Sequence, residues 1–129
     1  MTAARLFDDF DLGAEAGTAR VALTPERLAR WTALFPGGDG AAPPGLLVAL
    51  MMEGYMAATH PRPPGNVHAG LTLDFHPRPV RAGEDLTLEL HCTGKEIRKD
   101  RRWLTLAFTL RGADGAAALS GETRLIWAA

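Results

Sequence analysis

Two carboxylates and a histidine carry the chemistry this sequence offers. Between Trp31 and Thr59 the only charged residues are Asp39 and Glu53. Glu53 falls in the apolar run Leu46–Met52 and its continuation. A carboxylate inside an all-apolar helix costs several kcal/mol unless it is paired or protonated. Its expected pKa is therefore raised, and its expected role is base or nucleophile. The ordinary alternative places Glu53 where the helix surfaces, paired with an arginine such as Arg62. Asp39 lies in a glycine-rich loop, where it can orient water or simply hold a turn. His68 follows the stiff stretch Pro63-Pro64-Gly65-Asn66. An imidazole can serve as acid or base near neutrality, or as a structural hydrogen-bonding group. His60, His76 and His91 have weaker claims. Gly45 and Leu46 begin a helix whose free N–H groups and positive dipole end suit a developing oxyanion. Glycine there permits close approach.

These residues need a scaffold. The chain has 129 residues, 47% of them apolar, and a formal charge of -1. That is one domain, residues 1–129, with enough apolar content for its own core. The charge balance gives no drive toward nucleic acid or anionic membrane. The single cysteine, Cys92, excludes an intrachain disulfide and a multi-cysteine zinc site, and neither a metal nor a separate cofactor is expected. No run is long enough for a bilayer span and Met1–Asp11 has no signal-peptide character. The expected setting is a reducing cytoplasm.

Gly17–Leu23 alternates as a short strand. Thr24-Pro25-Glu26 then has the residues of a helix start, and Leu28, Trp31, Leu34 and Phe35 continue it at helical spacing. A loop, Pro36–Pro44, leads to a second helix at about Gly45–Thr59. It is apolar all round in its first half, the mark of a buried helix. After the connector His60–Asn66 the period changes to two. Val67, Ala69, Leu71, Leu73 and Phe75 share one expected face, with His68 on the other. Three further alternating runs follow: Leu86–Cys92 extending toward Ile97, Leu104–Leu110, and Leu119–Trp127. A basic tip, Arg98 to Arg102, separates the first two, and Asp114-Gly115 is a hairpin signal. The expected class is α+β: an antiparallel sheet of five or six strands wrapped around one long buried helix, the hotdog arrangement.

Two stretches sharpen this. Pro64-Gly65-Asn66-Val67-His68-Ala69-Gly70, and Phe75-His76-Pro77-Arg78-Pro79-Val80-Arg81-Ala82-Gly83-Glu84-Asp85-Leu86, resemble single-domain MaoC-like proteins. There an "H-A" strand leads to a "P-V-x-x-G-(D/E)-x-L" turn. Asp114-Gly115, Ser120-Gly121-Glu122 and Leu125-Ile126-Trp127 fit the family's last strand. The resemblance runs from about Arg20 to Trp127. It implies a hotdog fold, dimerisation through sheet edges, and an acyl thioester of coenzyme A or acyl carrier protein as ligand. It also implies hydration or dehydration across C2–C3 of that thioester, by an Asp and a His spaced G-D-x-N-P-x-H before the buried helix. In Gly38-Asp39-Gly40-Ala41-Ala42-Pro43-Pro44, Asp39 fits the Asp. Ala41 stands in the Asn position and Pro44 in the His position, and proline cannot move a proton.

The resemblance leaves three functions open. The first is a hydratase or dehydratase using Asp39, Glu53 and His68. The second is a thioesterase using Glu53, since some hotdog thioesterases carry an acid deep in the helix. The third is a non-catalytic subunit paired with another hotdog chain. Gly45, Leu46 and Asn66 are the expected substrate contacts, and Arg98 and Arg101 the expected grip on coenzyme A phosphates, although a charged hairpin tip is often only solvated.

Overall fold

The computed structural model describes residues 3–129. Its elements are β1 (Glu15–Ala22), α1 (Pro25–Leu34), α2 (Pro44–Ala58), β2 (Val67–Phe75), β3 (Asp85–Arg98), β4 (Arg101–Arg111) and β5 (Ala117–Trp127). The strands form one antiparallel sheet in the order β1-β3-β4-β5-β2. Five strands and two helices give the α+β hotdog architecture that the sequence predicts.

Local chemistry sets the boundaries. The Thr24 side chain accepts from the Arg27 N–H at 3.1 Å and Pro25 opens α1. The β3–β4 turn is two residues long, and Lys99 and Asp100 both have positive φ, 51° and 62°. That is the mirror-image turn a tight hairpin favours.

The inner face of the sheet carries Leu86, Leu88, Leu90 and Cys92 of β3 and Leu104, Leu106, Phe108 and Leu110 of β4, all buried. α2 lies on this face over β1 and β3. It packs with Leu46, Leu47, Leu50, Met51, Gly54 and Tyr55, the i, i+3, i+4 stripe of a helix resting on a surface. A Cβ at Gly54 would meet Leu88 at 2.9 Å and Val21 at 3.1 Å, so glycine sets how closely helix and sheet approach.

One expectation needs correction. α2 is not buried all round: Val48, Ala49 and Met52 are half-buried, and Glu53, Met56 and Ala57 are exposed. Its composition exceeds what one sheet covers. The N-terminal segment adds to the core. Phe7 and Phe10 are buried, Phe10 meets Trp127 edge-on, and the Trp127 Nε1–H donates to the Arg5 carbonyl at 2.8 Å. No helix among the described residues is long and apolar enough to cross a membrane.

Candidate functional site

β2 carries the main surprise. The ladder with β5 skips a residue between His68 and Gly70: His68 pairs with Leu125, Gly70 with Arg124 and Leu71 with Thr123. Ala69 is therefore a bulge, and a bulge reverses which side of the strand follows. Directly paired residues share a face. Leu125 and Thr123 pair with Leu104 and Leu106 of the inner face. His68, Leu71, Leu73 and Phe75 consequently share the inner face, and Val67 turns outward beside Ile126. The expectation that His68 opposes Leu71 and Leu73 is thus corrected. His68 Nε2 and the buried Thr123 hydroxyl share a hydrogen bond of 2.7 Å. Nδ1 is left as the other nitrogen of an exposed imidazole.

A cleft of about 230 Å³ opens where the loop before α2, the start of α2 and the end of β2 meet. Ala41, Ala42, Pro44, Leu47 and Phe75 line it, with the turn Pro77–Val80 beyond. The loop is anchored there by the Ala42 N–H, which donates to the Val80 carbonyl at 2.7 Å. Asp39 Oδ1 accepts the Ala41 N–H at 3.1 Å, so one oxygen of this carboxylate holds a turn. At the start of α2, Pro44 has no N–H and the Leu46 N–H goes to the Pro43 carbonyl at 3.0 Å. Gly45 therefore supplies the helix's first N–H. A Cβ on Gly45 would stand 3.0 Å from the Trp31 indole. The close approach that Gly45 permits is thus taken by Trp31 of α1.

His76, given little weight from the sequence, also lines this cleft. Its Nε2 shares a 2.8 Å hydrogen bond with Ser120 Oγ. Ser120 pairs with Asp74, on the face away from α2. The position of His76, directly after the last inner-face residue of a strand, was the only sequence signal for it.

Glu53 is not enclosed. Its side chain is 51% exposed and forms an ion pair with Arg27 of α1. The desolvation expected of a carboxylate within an apolar helix is absent because that flank of α2 faces α1 and solvent. Arg62, the partner suggested by the sequence, lies instead against the buried phenol of Tyr55. Burial raises the Tyr55 pKa, opposed by the charge and hydrogen bond of Arg62 and a hydrogen bond with Thr59. Asn66 has a structural contact: its Oδ1 accepts the Ala128 N–H at 2.7 Å. Arg98 and Arg101 face each other across the β3–β4 turn, and the Arg98 guanidinium lies 5.0 Å from the centre of the Trp103 ring.

The expected site residues therefore fall into two groups with Glu53 apart from both. Asp39, Gly45 and Leu46 sit near the Phe75 end of β2. Asn66, His68, Arg98 and Arg101 sit near its Val67 end. His68 and Phe75 are seven positions apart along the strand, roughly 20 Å. Asp39, Glu53 and His68 do not converge within one chain.

The turn read as Pro-Val-x-x-Gly-Glu is structural. Glu84 accepts from Arg78 Nη2 and from the Arg81 N–H, both at 2.6 Å. The Arg78 hydrogen bond holds the Glu84 carboxyl below its ordinary range. Arg78 also reaches Asp114 at 3.2 Å, tying this turn to the β4–β5 hairpin.

No protein-family model and no curated protein matches the sequence. Solved structures match throughout. A MaoC-like dehydratase from Rhodospirillum rubrum superposes with a TM-score of 0.82 at 19% identity, over 96% of this chain and 97% of that one. An (R)-hydratase from Pseudomonas aeruginosa gives 0.76 at 21%, over 95% and 84%. A fluoroacetyl-CoA-specific thioesterase gives 0.66 at 16%, over 91% and 87%. At such identities the shared property is the fold: this chain has the hotdog fold, in the form taken by MaoC-like dehydratases and (R)-hydratases.

Proposed function

We propose that this chain is a MaoC-like protein that acts on an acyl thioester, of coenzyme A or of acyl carrier protein, by hydration or dehydration at C2–C3. The observation that carries this reading is the cleft at the start of α2. It is lined by Ala41 and Ala42 of the loop that carries Asp39 and by Pro44 at the start of α2, over an apolar floor of Leu47 and Phe75. The dipole end of α2 suits a thioester carbonyl as it gains negative charge. In hydration, Asp39 takes a proton from water as the water oxygen bonds to C3. The C2=C3 electron pair takes a proton from an imidazole at C2. The proton on Asp39 then returns to the imidazole through solvent, and dehydration is the reverse. Arg98 and Arg101 are available for the phosphates of the carrier group.

A second reading is favoured by one specific observation. Pro44 stands where the family pattern has its His, and Asp39 spends one oxygen on a turn. A chain so equipped suits the role of non-catalytic subunit beside another hotdog chain that keeps the Asp/His pair.

The test is an assay of the purified protein against a panel of enoyl-, 3-hydroxyacyl- and saturated acyl-CoAs. Hydration of an enoyl-CoA that Asp39→Asn lowers by about 10²-fold or more supports the enzyme reading. No turnover, together with stable co-purification with a co-expressed MaoC-like partner, supports the subunit reading and overturns the first.

A further inference from the structure

We infer that His76 is the catalytic imidazole of this chain, the group that exchanges a proton with C2 of the thioester, and that Ser120 positions it. The assignment deepens the acyl-thioester reading and rests on it. The cleft beside the Asp39 loop has Pro44 where the family pattern has its His, so the proton for C2 comes from another part of the chain.

The chain has four histidines, and position eliminates three. His68 is bonded to Thr123 at the Val67 end of β2, roughly 20 Å along the strand from Phe75. His60 follows α2, and the fifteen residues of that helix set it roughly 20 Å from Pro44. His91 alternates with the buried Leu90 and Cys92, so it points away from the inner face of the sheet. His76 borders the cleft itself, together with Ala41, Ala42 and Pro44.

His76 is held on three sides. Its N–H donates to the Ala118 carbonyl at 3.0 Å, which carries the hydrogen bonding of β2 one step past Phe75. Pro77 follows, and a proline restricts the residue before it to extended backbone. The ring is fixed by the 2.8 Å hydrogen bond between Nε2 and Ser120 Oγ. A hydroxyl donates to a bare ring nitrogen and accepts from a protonated one. Ser120 therefore keeps one ring orientation in both protonation states, which neither a backbone N–H nor a carboxylate would do. Nδ1 is left as the nitrogen that meets the substrate, and a ring oriented in advance is what efficient proton transfer needs.

In hydration, a water oxygen bonds to C3 and the proton it sheds goes to Asp39. The C2=C3 electron pair forms a C2–H bond with the proton on Nδ1 of the imidazolium. The ring is left neutral and Asp39 protonated, and that proton returns to Nδ1 through solvent. Dehydration runs the same steps in reverse.

Two experiments test the assignment, one by turnover and one without it. In the first, enoyl-CoA hydration is measured for His76→Gln, Ser120→Ala, Ser120→Thr and, as a control, His91→Gln. His76 is exposed, so an unchanged Tm accompanies its substitution. His76→Gln lowers kcat by about 10²-fold or more and changes KM by no more than about twofold. Ser120→Ala lowers kcat by about tenfold, the loss of one hydrogen bond, and Ser120→Thr, which keeps the hydroxyl, restores it. His91→Gln stays within about twofold of native. A His76→Gln kcat within about threefold of native, or a 10²-fold loss in His68→Gln alone, overturns the inference. In the second, 2-octynoyl-CoA is the probe. An imidazole nitrogen adds to C3 of the ynoyl thioester as a proton goes to C2, which leaves a covalent adduct with no leaving group. Peptide mass spectrometry finds the adduct on His76, and His76→Gln takes up none. An adduct on His68 alone, or no adduct, overturns the inference. An adduct on His76 in a protein that hydrates no enoyl-CoA refutes the reaction and supports His76 as the imidazole of the thioester site. Hydration that survives His76→Gln refutes the assignment and keeps the reaction.

Discussion

Gly121→Ala detaches the strand that carries His68. A Cβ at Gly121 would lie 2.8 Å from the Thr72 carbonyl carbon, closer still to its oxygen, and 3.1 Å from the Phe108 ring. Real side chains require about 3.4 Å to such a carbon, so β2 must retreat by more than half an ångström opposite Gly121. The obstacle is backbone, which has no rotamer to give. Overpacking of this kind costs about 1–3 kcal/mol, and each ladder hydrogen bond lost with it adds about 1 kcal/mol. A total of about 3–5 kcal/mol corresponds to a fall in Tm on the order of 10–20 °C for a domain of this size. Gly70→Ala is the internal control. It lies on β2 itself, but its Cβ would sit 3.7 Å from Arg124, an ordinary contact, and its effect stays within about 1 kcal/mol. Differential scanning fluorimetry measures both. Amide hydrogen exchange locates the damage: Gly121→Ala loses protection in β2 while β3 and β4 keep theirs, and any enoyl-CoA hydration falls with it. A Tm change below about 3 °C, or equal effects from the two substitutions, would refute the packing argument.

The Arg78–Glu84 tie gives a pH signature. Hydrogen bonding to Arg78 lowers the Glu84 pKa below its ordinary 4.5, so its stabilisation is fully present above that pH and is lost as pH falls further. The Tm gap between the native protein and Glu84→Gln is constant from pH 6 to 8 and narrows below about pH 4.5; a gap that widens in acid refutes the assignment. Glu53 and Arg27 form an exposed pair worth about 0.2–1 kcal/mol, so Glu53→Gln lowers Tm by a few degrees and leaves enoyl-CoA hydration within about twofold. A 10²-fold loss of acyl-CoA hydrolysis in that variant would instead assign Glu53 to thioester cleavage. Replacing Arg98 and Arg101 together by Ala raises KM for a coenzyme A thioester at low salt and leaves kcat unchanged, with the difference shrinking at high salt as screening takes over. Unchanged KM removes these arginines from the binding surface.

The parts of the fold legible in the sequence are those where hydrophobic phase is redundant. Leu86, Leu88, Leu90 and Cys92 repeat the inward position four times, as do Leu104, Leu106, Phe108 and Leu110, and all are buried. The start of α1 is legible for a similar reason, because Thr24, Pro25 and Glu26 agree on it. β2 misleads because its phase changes at Ala69-Gly70, the two positions whose side chains carry the least information about facing. Val67 and Leu71 then appear to share a side when the bulge has separated them. Phe7 and Phe10 escape notice because two aromatics in a polar segment make no period, and only the tertiary fold brings Phe10 against Trp127.

The site is less legible than the fold for a related reason. A motif reading assigns each residue a role along one chain, and it correctly locates the Asp39 loop beside the start of α2. It also asks Glu53 to be buried because α2 is apolar all round, yet one sheet can cover only one side of a helix. The excess is the informative quantity. Val48, Ala49 and Met52 of α2 stay half-buried and Met56 is exposed, while Leu71 and Phe75 are open on the edge strand β2. An apolar composition all round a helix thus leaves part of its surface in contact with water and does not by itself enclose a carboxylate. Glu53 is therefore exposed on a helix whose composition predicts burial, and its ion pair with Arg27 is the ordinary outcome for a charge on that flank.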